Sequence, residues 1–474
     1  MKNYLRIFSL LFLSTQLAAQ STFASKTNEL SKVEKNSQNK KKSKENSKKI
    51  KTSKKPNTAN ANKSTDSKIV EKLESDLSRI NSSIDITKNK IRTAIEIGFL
   101  PDLYYMLAEL LVDKARIMTV LKKESQPGTP ESELDFTSEK RVRSEAIETF
   151  KLIEERYPTY SELDKVLFTM AQIISHQGSP DEAITIYKKI TLKYPMSKYG
   201  LKSHLEIGNI FFDKKDFEFA AEQYKKLIQI NPNSEESQRA LYKNGWCLNY
   251  LGKFFEAFQN YRKVLELIQL NPNSLEKNSE NSNLQEETLV AMIWPYSELT
   301  TQELSEIPDV LNPILFFEKS SPDKSSFRRI LNRFGQRMEI KERHKEASDA
   351  YLELFRLSDD LVEKKDALEK YYINVKKINV GLLPLWFSKE VSQILWSLSS
   401  EEKVKKSTKF DINPYEPILR DVATQIHQMG LKTKRREDLI AAAEAYDNYL
   451  WIFPQNKWTS SIQLNMAEAY YRRR

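Results

Sequence analysis

The sequence predicts an all-α protein built as a solenoid of stacked two-helix units. Three observations carry that prediction. Ala146, Ala183, Ala220 and Ala257 stand 37 residues apart. An aromatic follows each by four residues, at Phe150, Tyr187, Tyr224 and Tyr261. Pro158, Pro195 and Pro232 keep the same interval, as do the small residues Ala171, Gly208 and Gly245. A fixed period of this length on helical sequence means units that bury their apolar faces against neighbours instead of in one globular core. Ten glycines and 17 prolines in 474 residues, 39% of them apolar, suit helices joined by short turns.

Taken in order, residues 1–24 read as a secretory signal peptide. Lys2 and Arg6 supply the positive start, residues 7–13 are almost wholly apolar, and small residues allow cleavage after Ala24 or near Ala19. Residues 25–68 hold 14 lysines and four acids and few large apolar groups, which predicts a disordered basic linker. The linker is either a plain tether or an electrostatic contact to anionic polymer or a membrane surface. Val70, Leu73, Leu77, Ile80, Ile84, Thr87, Ile91 and Ala94 step by alternating threes and fours, a heptad seam over residues 69–97. Two readings stand for that helix: an oligomerising coiled coil or a cap on the solenoid. Asn81, Ser82 and Ser83 weaken it midway.

Pro101 and Asp102 open the next helix, over residues 103–121, and the N-terminal solenoid is expected over 101–272. In each unit the logic is local. Ser179 stands at a helix cap, Pro180 at the first helical position, and Asp181 and Glu182 face the positive end of the dipole. Ala183 is small where the partner helix crosses, Tyr187 fills the groove one turn on, and Pro195 stops the helix. Residues 273–320 break the pattern: an Asn, Ser, Glu and Gln-rich stretch over 273–289 reads as an exposed loop, then off-pattern helix.

The offsets return over 321–474, the expected C-terminal solenoid. Pro322, Gly335, Ala347 and Tyr351 repeat the steps of 13, 12 and 4, and so do Pro417, Gly430, Ala442 and Tyr446. Residues 360–412 read as degenerate helical units, and the final helix lacks a second helix to pair with, so either a partner covers it or the chain continues.

The net charge of +10 invites a nucleic-acid reading, but its location excludes one. The linker carries +10 and residues 1–24 carry +2, which leaves −2 for the other 406 residues. A nucleic-acid-binding fold carries its basic excess on the folded surface. Cys247 is the only cysteine, so intrachain disulfides are excluded. The four histidines are scattered, no glycines stand two apart, and no nucleophile elbow is present. No cofactor, metal or catalytic constellation is expected, and the six tryptophans read mostly as core or interhelix filler.

The repeats resemble those of the tetratricopeptide repeat (TPR) family, in which a small residue, an alanine twelve on, an aromatic four later and a proline eight beyond are matched by Gly208, Ala220, Tyr224 and Pro232. The period of 37, with the turn Tyr194-Pro195-Met196-Ser197, is similar to that of periplasmic members such as the outer-membrane assembly lipoprotein BamD and the coiled-coil-plus-repeat protein of the Tol–Pal system. The resemblance implies a right-handed superhelical solenoid whose first helices line a binding groove. It also implies an exported, periplasmic scaffold or adaptor for another envelope protein, secreted if the organism has no outer membrane. A cell-wall polymer binder working through the linker is the alternative.

One constellation points to the groove. Six residues before each small residue stand Lys165, Lys202, Arg239 and Arg329, and one residue after stand Gln172, Asn209, Trp246 and Gln336. A basic ladder beside amides fits an acidic peptide or a free C-terminus. Tyr242, Asn249, Tyr250 and His176 are expected near the same groove.

Overall fold

The computed structural model describes residues 59–95, 97–126, 128–270, 279–378, 385–400 and 412–472. The expected signal peptide, the expected linker up to residue 58 and residues 271–278 lie outside them. The chain divides into two units, Met1–Lys72 and Leu73–Arg474. Helix α1 (Ala59–Thr93) contributes its residues from Leu73 onward to the second. It starts ten residues before the expected boundary at 69, because extending a nucleated helix into polar sequence costs little per residue. Ser82 and Ser83 do not break it; their hydroxyls donate to the carbonyls of Ser78 and Arg79 at 3.1 and 3.0 Å. Ile80, Ile84 and Ile91 pack against a cluster of Leu107, Leu111 and Ala146 on the next two helices.

Every α-element among the described residues is a helix, and the helices follow one another in pairs. They are α2 (Leu100–Ser125) with α3 (Thr137–Arg156), α4 (Leu163–His176) with α5 (Pro180–Lys193), α6 (Lys198–Asp213) with α7 (Phe217–Ile230), and α8 (Glu235–Tyr250) with α9 (Phe254–Leu270). Helix α10 (Ser279–Glu298), short α11 (Thr301–Ser305) and α12 (Pro313–Ser320) precede α13 (Lys324–Ile340) with α14 (His344–Leu357). Then come α15 (Leu361–Ile378) with α16 (Leu385–Ser400), α17 (Glu416–Thr433) with α18 (Arg436–Ile452), and α19 (Thr459–Arg472). The longer helices pack on their neighbours in sequence, and the buried side chains form successive clusters from Ile84 to Ala469. This is an all-α solenoid of TPR-type helix pairs. No described helix is long and apolar enough to cross a membrane.

The period has a physical cause in the contact between the two helices of a pair. A Cβ added to Gly208 would lie 2.4 Å from the Tyr224 ring, one on Gly245 2.5 Å from Tyr261, and one on Gly335 2.7 Å from Tyr351. The rings therefore occupy the space a side chain would take, and all three are fully buried. The alanines at 146, 183, 220, 257 and 347 are buried completely, where the helices cross. The turn within each pair repeats as well. Gly178, Lys215, Gly252 and Glu342, each seven residues past the small residue, take positive φ angles of 91°, 63°, 72° and 57°. Between pairs, Ser197 and Ser234 accept hydrogen bonds from the backbone N–H groups of Gly200 and Ser237 and so cap the next helix. Ser179 differs from expectation: its side chain makes no capping bond, and Pro180 alone marks that start.

Two further expectations are corrected. The stretch 279–289 is helix, not loop, because Thr288, Leu289, Met292 and Ile293 of α10 are buried against α9 and α13, and packing overrides weak propensity. At the last full pair the offsets Gly430, Ala442 and Tyr446 match while the geometry does not. The left-handed turn residue is Lys434, four after Gly430, and the atoms nearest a Cβ there belong to Leu439 and Asp438. His427 stands seven before the turn, where the other pairs hold Ala or Gly, and its Nδ1 lies 3.1 Å from the Tyr446 hydroxyl. A turn set about one helical turn earlier keeps the ring buried with a different neighbour.

Gly245→Val should place two methyls and a Cβ inside the Tyr261 ring and lower stability by about 1–3 kcal/mol, read as the denaturant midpoint. A pH effect follows from the two buried histidines. Burial lowers the pKa of His204, against its Gln223 hydrogen bond, and lowers that of His427, against the charge of Glu468. The unfolded chain then binds protons more readily, so stability is complete above about pH 6.5 and declines as pH falls below it. Melting temperatures between pH 7.5 and 5 should fall in the wild type and flatten in a His204→Gln, His427→Gln variant.

Candidate functional site

The basic ladder lies on the first helices of successive pairs, but three of its four members have partners. Lys165 on α4 sits with its Nζ 4.3 Å above the Tyr105 ring. Lys202 on α6 is half-buried. Arg239 on α8 pairs with Glu235 one turn earlier at 3.0 Å. Arg329 on α13 donates from Nε and Nη2 to Glu286 of α10 at 2.7 and 2.6 Å. That arginine, through its hydrogen bonds, holds the Glu286 carboxyl below the usual carboxylate range.

Three of the anticipated residues meet. Asn209, Arg239 and Tyr242 line a cavity of about 480 Å³ between α6, α8 and α10. Tyr242 and Trp246 line an adjoining cavity of about 340 Å³ against α10. The two share Tyr242, Asn283 and Glu287, so they form one groove. Lys165, Gln172, His176 and Lys202 do not line it. Asn249 is buried behind it, donating from Nδ2 to the Tyr261 hydroxyl at 3.2 Å. Asn209 is held in place by the Tyr224 hydroxyl, which donates to its Oδ1 at 2.9 Å.

Sequence reasoning missed half of the groove wall. Glu206 and Lys243 line it from α6 and α8, and Asn283 and Glu287 from α10. Glu206 and Lys243 are 37 residues apart, so the period did mark the position, with opposite charges at its two occurrences. The α10 residues fell in the stretch read as loop, and no signal marked them.

An aromatic run borders the groove. Phe217 stacks on Tyr250 with ring centroids 4.3 Å apart, Phe212 meets both, and Trp294 of α10 meets Trp246 and Tyr250 edge-on at 6.1 and 5.7 Å. Cations flank it: Lys243 over Phe212 at 5.4 Å and Arg337 over Trp294 at 6.0 Å. Of the tryptophans read as core or interhelix filler, Trp246 and Trp294 are part-buried between helices, while Trp386, Trp396, Trp451 and Trp458 are exposed, and Trp396 and Trp451 stack on each other. Tyr250 is 38% exposed, so this run offers apolar surface to a ligand.

Arg337 is fixed from α10. Its Nη2 lies 2.7 Å from Glu298, its Nε donates to the Ser297 hydroxyl at 2.8 Å, and Lys341 reaches the other Glu298 oxygen at 2.6 Å. Cys247 is buried in the cluster with Tyr224 and Leu227, and burial pushes its thiol up to about 12, so it stays protonated at neutral pH. Among the described residues no group of three or more His, Cys, Asp or Glu is placed to hold a metal ion.

No protein-family model and no curated protein matches the sequence. Solved structures similar to this chain are TPR proteins among others. BtubC from P. vanneervenii is 12% identical over 60% of this chain and 90% of its own, with a TM-score of 0.35. PilF from Pseudomonas aeruginosa is 15% identical over 55% and 97%, with a TM-score of 0.29. A tetratricopeptide repeat protein from Parabacteroides merdae is 15% identical over 61% and 98%, at 0.29. Likenesses this loose assign no activity; the repeat geometry of the chain itself carries the fold.

Glu298→Gln should leave Arg337 half-buried without its counter-charge and cost about 1–3 kcal/mol, read by chemical denaturation, with quenching of Trp294 fluorescence altered in the native state.

Proposed function

We propose that the chain is a scaffold or adaptor that binds an extended or helical segment of another protein in the groove between α6, α8 and α10. The observation that supports this most directly is the continuity of the two cavities through Tyr242, beside an aromatic run of partly exposed rings. Pockets of this size with a few convergent polar groups and aromatic walls are where ligands bind, and aromatic anchors supply most of the affinity at such surfaces. The ligand segment carries both signs of charge. Glu206, Glu286 and Glu287 stand in the same walls as Arg239 and Lys243, so a purely acidic peptide meets repulsion alongside attraction.

The setting we propose is the cell envelope, with the protein exported. Support comes from the N-terminal sequence: Lys2 and Arg6, the apolar run 7–13 and the small residues up to Ala24. The lysine-rich segment 25–58 then tethers the repeats, and an affinity of that segment for anionic wall polymer is the competing account of any envelope association.

The test is cross-linked affinity purification from envelope extract with the mature chain, an Arg239→Glu, Tyr242→Ala variant and a chain lacking residues 25–58. A protein captured by the wild type and by the shortened chain, and lost in the folded groove variant, is the expected result. Captures that depend on residues 25–58 and ignore the groove variant would reassign the function to the tail.

A further inference from the structure

The groove as a whole balances its charges, but its end against α10 does not. In the cavity of about 340 Å³ there, Tyr242 and Trp246 of α8 face Asn283, Glu286 and Glu287 of α10. Val290 and Ala291 complete the lining. No basic residue belongs to it; Arg239 and Lys243 line only the adjoining cavity of about 480 Å³. Helix geometry produces the arrangement. Tyr242 and Trp246 are four apart on one helix, and Asn283 and Glu287 are four apart on the other, so each pair shares a face.

The two carboxylates differ in what they already hold. Glu286 is engaged: Arg329 of α13 donates to its Oε1 and Oε2 at 2.7 and 2.6 Å, and the Ser326 hydroxyl donates to Oε2 at 2.8 Å. The Glu287 side chain makes neither an ion pair nor a hydrogen bond among the described residues. Burial holds its carboxyl above the usual range, the charge of Glu286 adds to the rise, and the pull of Lys243 does not offset them. Packing and hydrogen bonding in the fold therefore make no use of this group. Helix α10 follows no repeat, so no register constraint places a glutamate there either.

We infer that this cavity receives an arginine side chain of the bound segment, held by Glu287 against Tyr242 and Trp246. The inference rests on the groove reading above and names the residue that the groove selects. Aromatic rings beside a carboxylate favour a cation. A guanidinium is planar and weakly hydrated, so it can lie along a ring while its N–H groups reach Glu287 and the Asn283 amide oxygen together. An ammonium is a strongly hydrated point charge and cannot do both. Val290, 37% exposed, offers apolar surface to the methylene stem. The same wall already binds one guanidinium, since Arg329 grips both oxygens of Glu286. An acidic side chain would meet two carboxylates here.

The experiment titrates the full chain with N-acetyl-argininamide, with N-acetyl-citrullinamide, which keeps the shape without the charge, and with N-acetyl-lysinamide, followed by saturation-transfer NMR. Saturable binding of the arginine probe, about tenfold tighter than either of the others, is expected. Glu287→Gln should melt as the wild type does, because its side chain holds nothing in the fold, and should bind the arginine probe about tenfold more weakly. Glu206→Gln, which removes a carboxylate from the adjoining cavity alone, should change the titration by less than about twofold. Failure of the arginine probe to bind saturably would overturn the inference. So would equal affinity for the citrulline or lysine probe, or an arginine preference unchanged in Glu287→Gln. A chain that captures its partner through the groove yet shows no arginine preference loses this inference and keeps the groove; failure of both results removes both.

Discussion

One contact sets the architecture: the aromatic ring of each second helix lying where a Cβ of the first helix would be. Tyr224, Tyr261 and Tyr351 bring helix backbones close only because Gly208, Gly245 and Gly335 present no side chain. Close approach fixes the crossing, the crossing requires alanine at 220, 257 and 347, and the left-handed turn residue seven positions after each glycine returns the chain at the correct length. Each pair then exposes an apolar face that only the next pair covers, which makes the buried clusters successive along the chain.

Where that contact is altered, the chain adapts at one end or builds a wall of the proposed groove. In α17 the turn comes about one helical turn earlier, and His427 takes the place of a small residue beside Tyr446. The ring stays buried, and an imidazole whose Nε2 has no hydrogen-bond partner among the described residues now sits in the core beside it. In α10 the repeat is abandoned altogether. That helix instead contributes Asn283 and Glu287 to the groove and Trp294 to the aromatic run beside it, and its Glu286 and Glu298 clamp Arg329 and Arg337 of α13. The irregular helix therefore both bridges two regular blocks and builds one wall of the proposed site.

The charges show why a repeat position is not a ladder merely by recurring. Lys165, Lys202, Arg239 and Arg329 do recur at one register of the first helices, but Arg329 is taken by Glu286 and Arg239 by Glu235. Ion pairs of this exposed kind contribute little to stability. They do neutralise the wall, and a groove with balanced charge selects its ligand by shape, aromatic contact and hydrogen bonding more than by net attraction.

The sequence by itself determined the helix pairs, their period and their turns. Those depend on residues within one or two repeats: Tyr224 and Gly208 are sixteen apart, and Ser197 caps a helix that begins at the next residue. Such short-range constraints leave a periodic trace in the chain. It also marked Asn209, Arg239, Tyr242 and Trp246, because a register position on a first helix is itself periodic. Only the tertiary structure decided what surrounds them. The groove closes against α10, whose wall residues lie about 40 positions on from Tyr242 and follow no period, and Glu287 shares a cavity with Tyr242 and Trp246 only once α10 is packed against α8. Contacts between elements that do not repeat leave no pattern to read, since any sequence that packs there satisfies them.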